Sequence, residues 1–184
     1  MKVHNLAFID VETTGTDFDK HEIIELALIV LKQTEREGKG PSVEILGEYE
    51  WKIKPERIED ADEQALRING YNEADWLFAS PLKNVLEEFN KKAASCTFVS
   101  HNLVFDYGFV NKAYQKTGIE NDMHYGKLDT ISIAFARLYD APQADKFSMK
   151  FLCELLKVEN SKAHTALADT RALVEVYKKL MRAS

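Results

Sequence analysis

The sequence is short of several features that would assign it to a class at once. Its 184 residues contain no apolar run approaching the roughly 20 residues of a membrane-spanning helix, and the N-terminus lacks a signal-peptide pattern. Only two cysteines are present, Cys96 and Cys153, far apart, in apolar contexts and without zinc-ligand spacing. We therefore expect no membrane contact, a cytoplasmic location and two buried free thiols rather than a disulfide.

Basic charge and chain-breaking residues are scarce as well. The net charge is −6, so nonspecific attraction to a polyanion is not expected. A nucleic acid enzyme is still compatible with this charge, because bound metal ions would cancel negative charge where substrate enters. Eight Gly and four Pro give no collagen-like or low-complexity signal, and 45% hydrophobic residues allow a sizeable core. The length predicts a single domain over 1–184.

The hydrophobic pattern predicts an α/β fold. Strands are predicted at about 5–12, 23–31, 43–53, 97–100 and 127–128. The first three form an antiparallel meander, and helical spacing dominates after them. One helix is predicted at 59–68, and Ser80 is predicted as the N-cap of the next, with Pro81 at its first position. The economical interpretation is a mixed central sheet flanked by helices.

The first predicted strand ends in two carboxylates and a glycine turn. Strand side chains alternate between faces, so Asp10 and Glu12 point to the same side. Two carboxylates on one face repel each other and resist burial, and a bound divalent cation is the usual physical resolution. The simpler alternative is that both acids lie on a solvated strand end. Taken without the rest of the chain, the Asp10 and Glu12 pair favours this alternative.

Three more residues have the same ambiguity. Asp106 opens a predicted helix and Asp169 lies in the first turns of the last one, where an acid complements the helix dipole. His164 precedes Asp169 by five residues, so the two can share a site only if His164 lies in a loop before the helix. A lone histidine there is more often a surface or capping residue.

Three motifs taken together, in order, are far more specific than any one of these residues. They are Asp-x-Glu-Thr-Thr-Gly at 10–15, His-Asn-x-x-Phe-Asp at 101–106 and His-x-Ala-x-x-Asp at 164–169. This series resembles the three exonuclease motifs of the DEDDh family. That family is the DnaQ-like group, which includes ribonuclease T and the epsilon subunit of DNA polymerase III. The resemblance runs from Phe8 to about Tyr177, nearly the whole chain.

The resemblance implies a ribonuclease H-like fold and a 3′→5′ exonuclease that uses two Mg²⁺ or Mn²⁺ ions. Its substrate would be the 3′ end of single-stranded DNA or RNA, and its products nucleoside 5′-monophosphates. By position, the metal-binding acids would be Asp10, Glu12, Asp106 and Asp169, with His164 as the general base. Substrate-binding positions would be Thr13, Thr14, His101 and Asn102.

One departure from the family pattern concerns the residue after the first-motif glycine. Many members have an apolar residue there that wedges against the terminal base, whereas this chain has Thr16. Phe18 either replaces that wedge by stacking on a base or covers the edge of the core. Glu25 and Asp129 lie at strand and helix ends, so we expect structural roles for them.

A second functional interpretation stays open beside the active exonuclease. The chain would then work mainly as a proofreading or processing module within a polymerase or other complex, although no partner-binding tail is expected before Ser184. A homodimer is compatible with the family. The sequence does not distinguish DNA from RNA, because reading a 2′-hydroxyl depends on loop contacts.

Overall fold

Within the described residues, five strands form one mixed sheet. The structure is a computed structural model that describes residues 4–34, 41–140, 146–160 and 165–182. The strands are β1 (Leu6–Thr13), β2 (Ile23–Thr34), β3 (Ser42–Lys52), β4 (Thr97–Ser100) and β5 (His124–Asp129). Their order across the sheet is β3-β2-β1-β4-β5, antiparallel from β1 to β3 and parallel from β1 through β4 to β5. The predicted meander with added parallel strands is confirmed.

Helices pack on both faces of this sheet. Those in the described residues are α1 (Glu63–Asn69), α2 (Leu82–Ala93), α3 (Leu103–Thr117), α4 (Thr130–Arg137), α5 (Met149–Leu156) and α6 (Ala166–Arg182). One core contains Ile9 and Val11 of β1 with side chains of α2 and α3. A second contains Leu6 and Phe8 with side chains of α6, where Phe8 meets the Tyr177 ring at 5.1 Å. The sheet is therefore covered on both sides, as an α/β fold requires.

Strand alternation decides where the acids of β1 point. Leu6 and Phe8 face α6, so Asp10 and Glu12, which continue the same series, lie on the α6 side. β1 has an antiparallel neighbour on one side and parallel β4 on the other, and the carboxyl ends of β1 and β4 meet at one edge. Such edges are where open α/β sheets bind ligands.

The prediction of one helix over 59–68 is wrong at its start. A short 3₁₀-helix spans Ile58–Asp60, and α1 begins only at Glu63. Asp62 accounts for the break, because its side chain accepts the backbone N–H of Gln64 and so caps a new helix. The helix ends as expected, at a left-handed Gly70 with φ of 69°.

The prediction that Ser80 caps α2 is also wrong. Pro81 occupies the N-cap position, and no side chain bonds to the first turn there. Ser80 instead pairs through its backbone, donating to the Lys52 carbonyl at 3.0 Å and accepting from the Lys54 N–H at 2.9 Å. This pairing holds Ser80 extended, which also suits a residue that precedes proline.

Both cysteines are free and buried, as predicted. The aromatic residue Phe109 is buried in the first core, and Phe105 packs against that core. Among the helices of the described residues, none combines the length and the apolar character needed to cross a membrane.

Candidate active site

Three carboxylates from two elements meet near the end of β1. Asp10 and Glu12 belong to β1, and Asp169 lies in the first turn of α6. One carboxylate oxygen from each residue lies within 4.8 Å of the others, and all three side chains are partly buried. Sets of carboxylate oxygens at this spacing are the ligands that hard divalent cations prefer. The three acids therefore fit a divalent metal centre.

The raised pKa values of the clustered acids also fit a divalent metal centre. Burial raises the pKa of Glu12 from 4.5 to about 8, and the charges of Asp169 and Glu25 add to the rise. Burial also raises the pKa of Asp10 well above its ordinary value, with further contributions from Asp106 and Glu12. Acids that repel each other this strongly gain most from a cation, because its charge removes the repulsion.

Asp106 approaches from α3, on the other face of the sheet. It is 3% exposed, and one of its carboxylate oxygens accepts the Val11 backbone N–H at 3.2 Å. Burial raises the pKa of Asp106 to about 7. It is not one of the three acids within 4.8 Å, but its charge raises the pKa of Asp10. A solvated acid that merely complements the helix dipole does not fit this burial.

These raised pKa values predict how the stability of the metal-free protein changes with pH. An acid whose pKa rises on folding stabilises the fold fully below its ordinary pKa, and that contribution is lost as pH rises through the folded pKa. For Glu12 this window runs from 4.5 to about 8, and for Asp106 from 3.8 to about 7. In EDTA, the melting temperature should therefore fall from about pH 5 to about pH 8.

Thermal denaturation across this pH range would check the expectation, with Glu12→Gln as the comparison. The variant should show a flatter curve, because the amide does not titrate. Added Mg²⁺ should raise the melting temperature of the wild type more at the alkaline end than at the acidic end. A wild-type curve no steeper than that of Glu12→Gln would show that Glu12 does not carry the effect.

Two strand carboxylates hold the start of α6 against the sheet. The N–H of Ala166 donates to Glu25 Oε2 at 2.9 Å, and the next N–H donates to Glu50 Oε1 at 3.3 Å. N–H groups in a first turn have no partner within their own helix and favour negatively charged acceptors. Glu25 therefore has a structural role, as expected, and this role positions the turn that carries Asp169.

Removing the Glu25 acceptor should destabilise the protein. Glu25→Leu leaves the buried N–H of Ala166 unpaired, which should lower the free energy of unfolding by about 1–3 kcal/mol. Glu25→Gln should cost less, because the amide oxygen still accepts. Urea denaturation at one pH would measure both, with Glu50→Gln as the more exposed counterpart. Equal losses for Glu25→Leu and Glu25→Gln would refute the role assigned to this hydrogen bond.

One partner of the cluster was not expected from the sequence. Asn160 Nδ2 donates to Asp169 Oδ1 at 2.7 Å, which fixes one oxygen of that carboxylate. An asparagine in a loop has many uses, so nothing in the pattern singled it out. His164 lies outside the described residues, and its place beside Asp169 stays a prediction.

The two threonines of the first motif are buried and shape its turn. Thr13 Oγ1 donates to the Gly15 carbonyl at 2.6 Å, and Thr14 Oγ1 accepts the Glu22 N–H at 2.9 Å. The turn also requires glycine, because a Cβ on Gly15 would lie 2.4 Å from the ring of His21. The contact of Thr13 and Thr14 with a terminal nucleotide stays a prediction.

His101 lines the same cavity as two of the acids. Asp10, His101 and Asp169 border a space of about 560 Å³. His101 Nδ1 lies 3.0 Å from Thr130 Oγ1, and burial lowers the pKa of the imidazole. The imidazole is therefore held in place beside the acids.

Asn102 has a different position. It precedes α3 in a left-handed conformation with φ of 65°, and its N–H donates to Asp129 Oδ1 at 3.2 Å. The same carboxylate accepts the N–H of Ile131 and caps α4, which agrees with the structural role expected for Asp129. Asn102 thus shapes the turn between β4 and α3, and its contact with substrate stays a prediction.

Phe18 lies against α3. Its ring meets Phe109 edge-on with centroids 6.1 Å apart, and a Cβ on Gly108 would lie 3.0 Å from it. The residue is 41% exposed, so the ring covers the edge of the core and also presents part of its surface to solvent. A wedge against the terminal base stays a prediction.

Comparison with known proteins identifies the family. The model described as Exonuclease, RNase_T, matches residues 7–177. The chain belongs to this exonuclease family. The match covers all three motifs, and it confirms the predicted DnaQ-like 3′→5′ exonuclease family and with it the predicted enzyme class.

The curated relatives of this exonuclease include much longer polymerases. This chain is 29% identical over 184 residues to the DNA polymerase III PolC-type of Staphylococcus saprophyticus. The matched region covers 99% of this chain and 12% of the polymerase. The chain is 28% identical over 173 residues to the PolC-type polymerase of Staphylococcus aureus, of which 11% is covered. The chain therefore spans about an eighth of the length of these relatives.

Solved structures resemble this exonuclease in fold. E. coli exonuclease I in complex with a dT13 oligonucleotide matches with a TM-score of 0.78 and 18% identity, over 98% of this chain and 41% of that one. The zinc-bound form of the E. coli exonuclease I–single-stranded DNA complex also gives 0.78, with 18% identity, over 96% of this chain and 40% of that one. The likeness confirms the predicted ribonuclease H-like fold.

Proposed function

We propose that the chain removes nucleotides from the 3′ end of single-stranded nucleic acid by metal-dependent hydrolysis. The main observation behind this proposal is that Asp10, Glu12 and Asp169 offer carboxylate oxygens within 4.8 Å of one another. Family membership supports the reaction class. Exonuclease I, which resembles this chain in fold, has been solved with single-stranded DNA and in a zinc-bound form. This likeness supports a single-stranded substrate and a need for a divalent cation.

The four acids would divide the work of holding cations. Asp10, Glu12 and Asp169 would provide direct ligands, and Asp106, which is buried beside them, would add negative charge and a further oxygen. Two divalent cations bound there would supply Lewis acidity that activates water and offsets the charge on the phosphoryl oxygens. Mg²⁺ and Mn²⁺ both suit this all-oxygen set.

His164 would accept the proton of the attacking water. Its ordinary pKa of about 6.5 makes neutral imidazole available near neutral pH. The water oxygen forms the new bond to phosphorus while the bond to the 3′ oxygen of the preceding nucleotide breaks, and that 3′ oxygen takes up a proton from solvent. The products are a nucleoside 5′-monophosphate and a strand with a new 3′-hydroxyl, ready for another round.

The PolC-type relatives favour a second candidate function. This chain corresponds to only 12% of such a polymerase, so in them the matching segment belongs to a much larger protein. The alternative is that this exonuclease acts mainly as a proofreading module bound to a polymerase. Its activity alone would then be weak and would rise when the polymerase is added.

A 5′-labelled substrate distinguishes these candidates. Single-stranded DNA and RNA of one sequence should be incubated with the chain in Mg²⁺, Mn²⁺ or EDTA, with Asp10→Asn as the control for contaminating nuclease. A ladder that shortens from the 3′ end and is lost in EDTA and in the variant is expected. No degradation of either polymer would count against an exonuclease that works alone, and the faster polymer identifies the preferred substrate.

A further inference from the structure

A groove beside the candidate active site lies between the β1–β2 loop and α3. Its volume is about 340 Å³, within the range of about 300–1,000 Å³ typical of ligand sites. Its apolar lining includes Ile53, Leu82 and Phe109, and Phe18 borders it. Among the described residues, none of the four acids lines it, so the groove is distinct from the metal centre.

Both walls of the groove begin at the candidate active site. The β1–β2 loop leaves β1 just after Glu12, and Phe18 follows Glu12 by six residues. α3 carries Asp106 in its first turn and presents Phe109 and Lys112 to the groove on later turns. A strand whose 3′ end reaches the acids would therefore have this groove available to its upstream nucleotides.

The exposed ring of Phe18 is held in place before any ligand arrives. The loop is tied internally, since the N–H of Asp17 donates to His21 Nδ1 at 3.0 Å and the N–H of Asp19 donates to Asp17 Oδ1 at 2.9 Å. The ring also fits against Gly108, where a Cβ would lie 3.0 Å away. An aromatic surface fixed in this way loses little entropy when a base stacks on it.

The charges around the groove suit a polyanion better than the rest of the chain does. Four cations and three acids line it, a local balance of +1 in a chain of net charge −6. They are Lys54, Arg57, Lys112 and Lys116, with Asp19, Glu22 and Glu56. Lys112 pairs with Asp19, and both side chains are exposed. Exposed pairs contribute only about 0–1 kcal/mol, so a phosphate can replace Asp19 at little cost.

We propose that this groove binds upstream nucleotides of the single-stranded substrate, with a base on Phe18 and backbone phosphates beside Lys112. The inference rests on the proposed function, which supplies the strand and its direction. Stacking on an aromatic face is tolerant of base identity, so the groove selects for strand length and not for sequence. The enzyme should therefore prefer oligonucleotides to dinucleotides.

Binding and hydrolysis should be measured on an oligothymidylate of about eight nucleotides and on a thymidine dinucleotide, with binding followed by fluorescence anisotropy in EDTA. Phe18→Ala should weaken binding of the longer strand about tenfold, and the ratio of kcat/KM between long and short substrates should fall similarly. Lys112→Gln should reduce the salt dependence of binding. Tyr139→Ala, which removes an exposed aromatic elsewhere, is the control for Phe18→Ala. Lys91→Gln, at an exposed lysine of α2, is the control for Lys112→Gln.

Gly108→Ala distinguishes a specific effect on the groove from a general loss of protein stability. The new methyl would lie 3.0 Å from the Phe18 ring and would shift that ring by a few tenths of an ångström, while alanine is the better helix former by about 1 kcal/mol. Weaker binding without a lower melting temperature is the expected result. If Phe18→Ala and Lys112→Gln both leave binding and length preference unchanged, the proposal that this groove binds upstream nucleotides is wrong, even if the wild type degrades DNA. Phe18-dependent binding by a chain that hydrolyses neither substrate would support the groove and contradict the proposed function.

Discussion

Asp10→Asn should slow hydrolysis severely and, in EDTA, raise the melting temperature at about pH 8, near the raised pKa of Glu12. The substitution removes a carboxylate that lies within 4.8 Å of the other two and so removes a ligand of the proposed metal centre. A metal centre contributes several kcal/mol to a phosphoryl-transfer transition state, so the rate should fall by about 10³-fold or more. Stability should rise because the amide has nearly the shape of the acid and no charge to repel its neighbours.

Two measurements separate this expectation from simple damage to the fold. Calorimetric titration with Mg²⁺ should show that Asp10→Asn loses metal binding, and thermal denaturation in EDTA should show that the protein is folded and more stable. Asp140→Asn, at an exposed position, is the matched control and should change neither property. Activity retained in Asp10→Asn, or metal binding equal to that of the wild type, would remove Asp10 from the metal centre.

The shared orientation of the two acids of β1 is the feature of this site that the sequence predicts most directly, because it follows from strand alternation alone. The side-chain period of two places Asp10 and Glu12 on one side of β1 whatever the rest of the chain does. That side is the one that α6 covers, so Asp169 meets them. The meeting itself depends on the fold, and only the resemblance to a known family made it predictable.

Long-range hydrogen bonds mark the limit of sequence reasoning. Glu25 and Ala166 are 141 positions apart, and Asp106 and Val11 are 95 apart. No local pattern predicts which buried acid will accept a backbone N–H from so far along the chain. The burial of Asp106 does not follow from its position alone, since an acid in the first turn of a helix is explained equally well by solvent exposure.

Local capping rules failed where another backbone competed for the same residue. Ser80 is a good N-cap by type, but its N–H and carbonyl pair with Lys52 and Lys54 at the edge of the sheet. Asp62 is an equally good cap and is used, because its side chain reaches the Gln64 N–H. Side-chain propensity therefore decides helix ends only where tertiary pairing leaves the residue free to follow it.

His164→Ala should slow hydrolysis by about 10²- to 10⁴-fold while the affinity for Mg²⁺ stays near that of the wild type. The expected difference from Asp10→Asn follows from ligand chemistry, because Mg²⁺ prefers oxygen ligands and gains little from imidazole. Single-turnover kinetics would measure the chemical step, and calorimetry the metal affinity. His4→Ala is the matched control for removal of a histidine away from the three motifs.

The pH dependence identifies what His164 does. A general base gives a rate that rises with pH through its own pKa, ordinarily about 6.5, and the variant should lack this rise. Added imidazole should restore part of the rate in His164→Ala and none in Asp10→Asn, because a diffusing base replaces a proton acceptor but does not replace a metal ligand. If His164→Ala loses Mg²⁺ as severely as Asp10→Asn, the histidine supports the metal centre and the assignment as base is wrong.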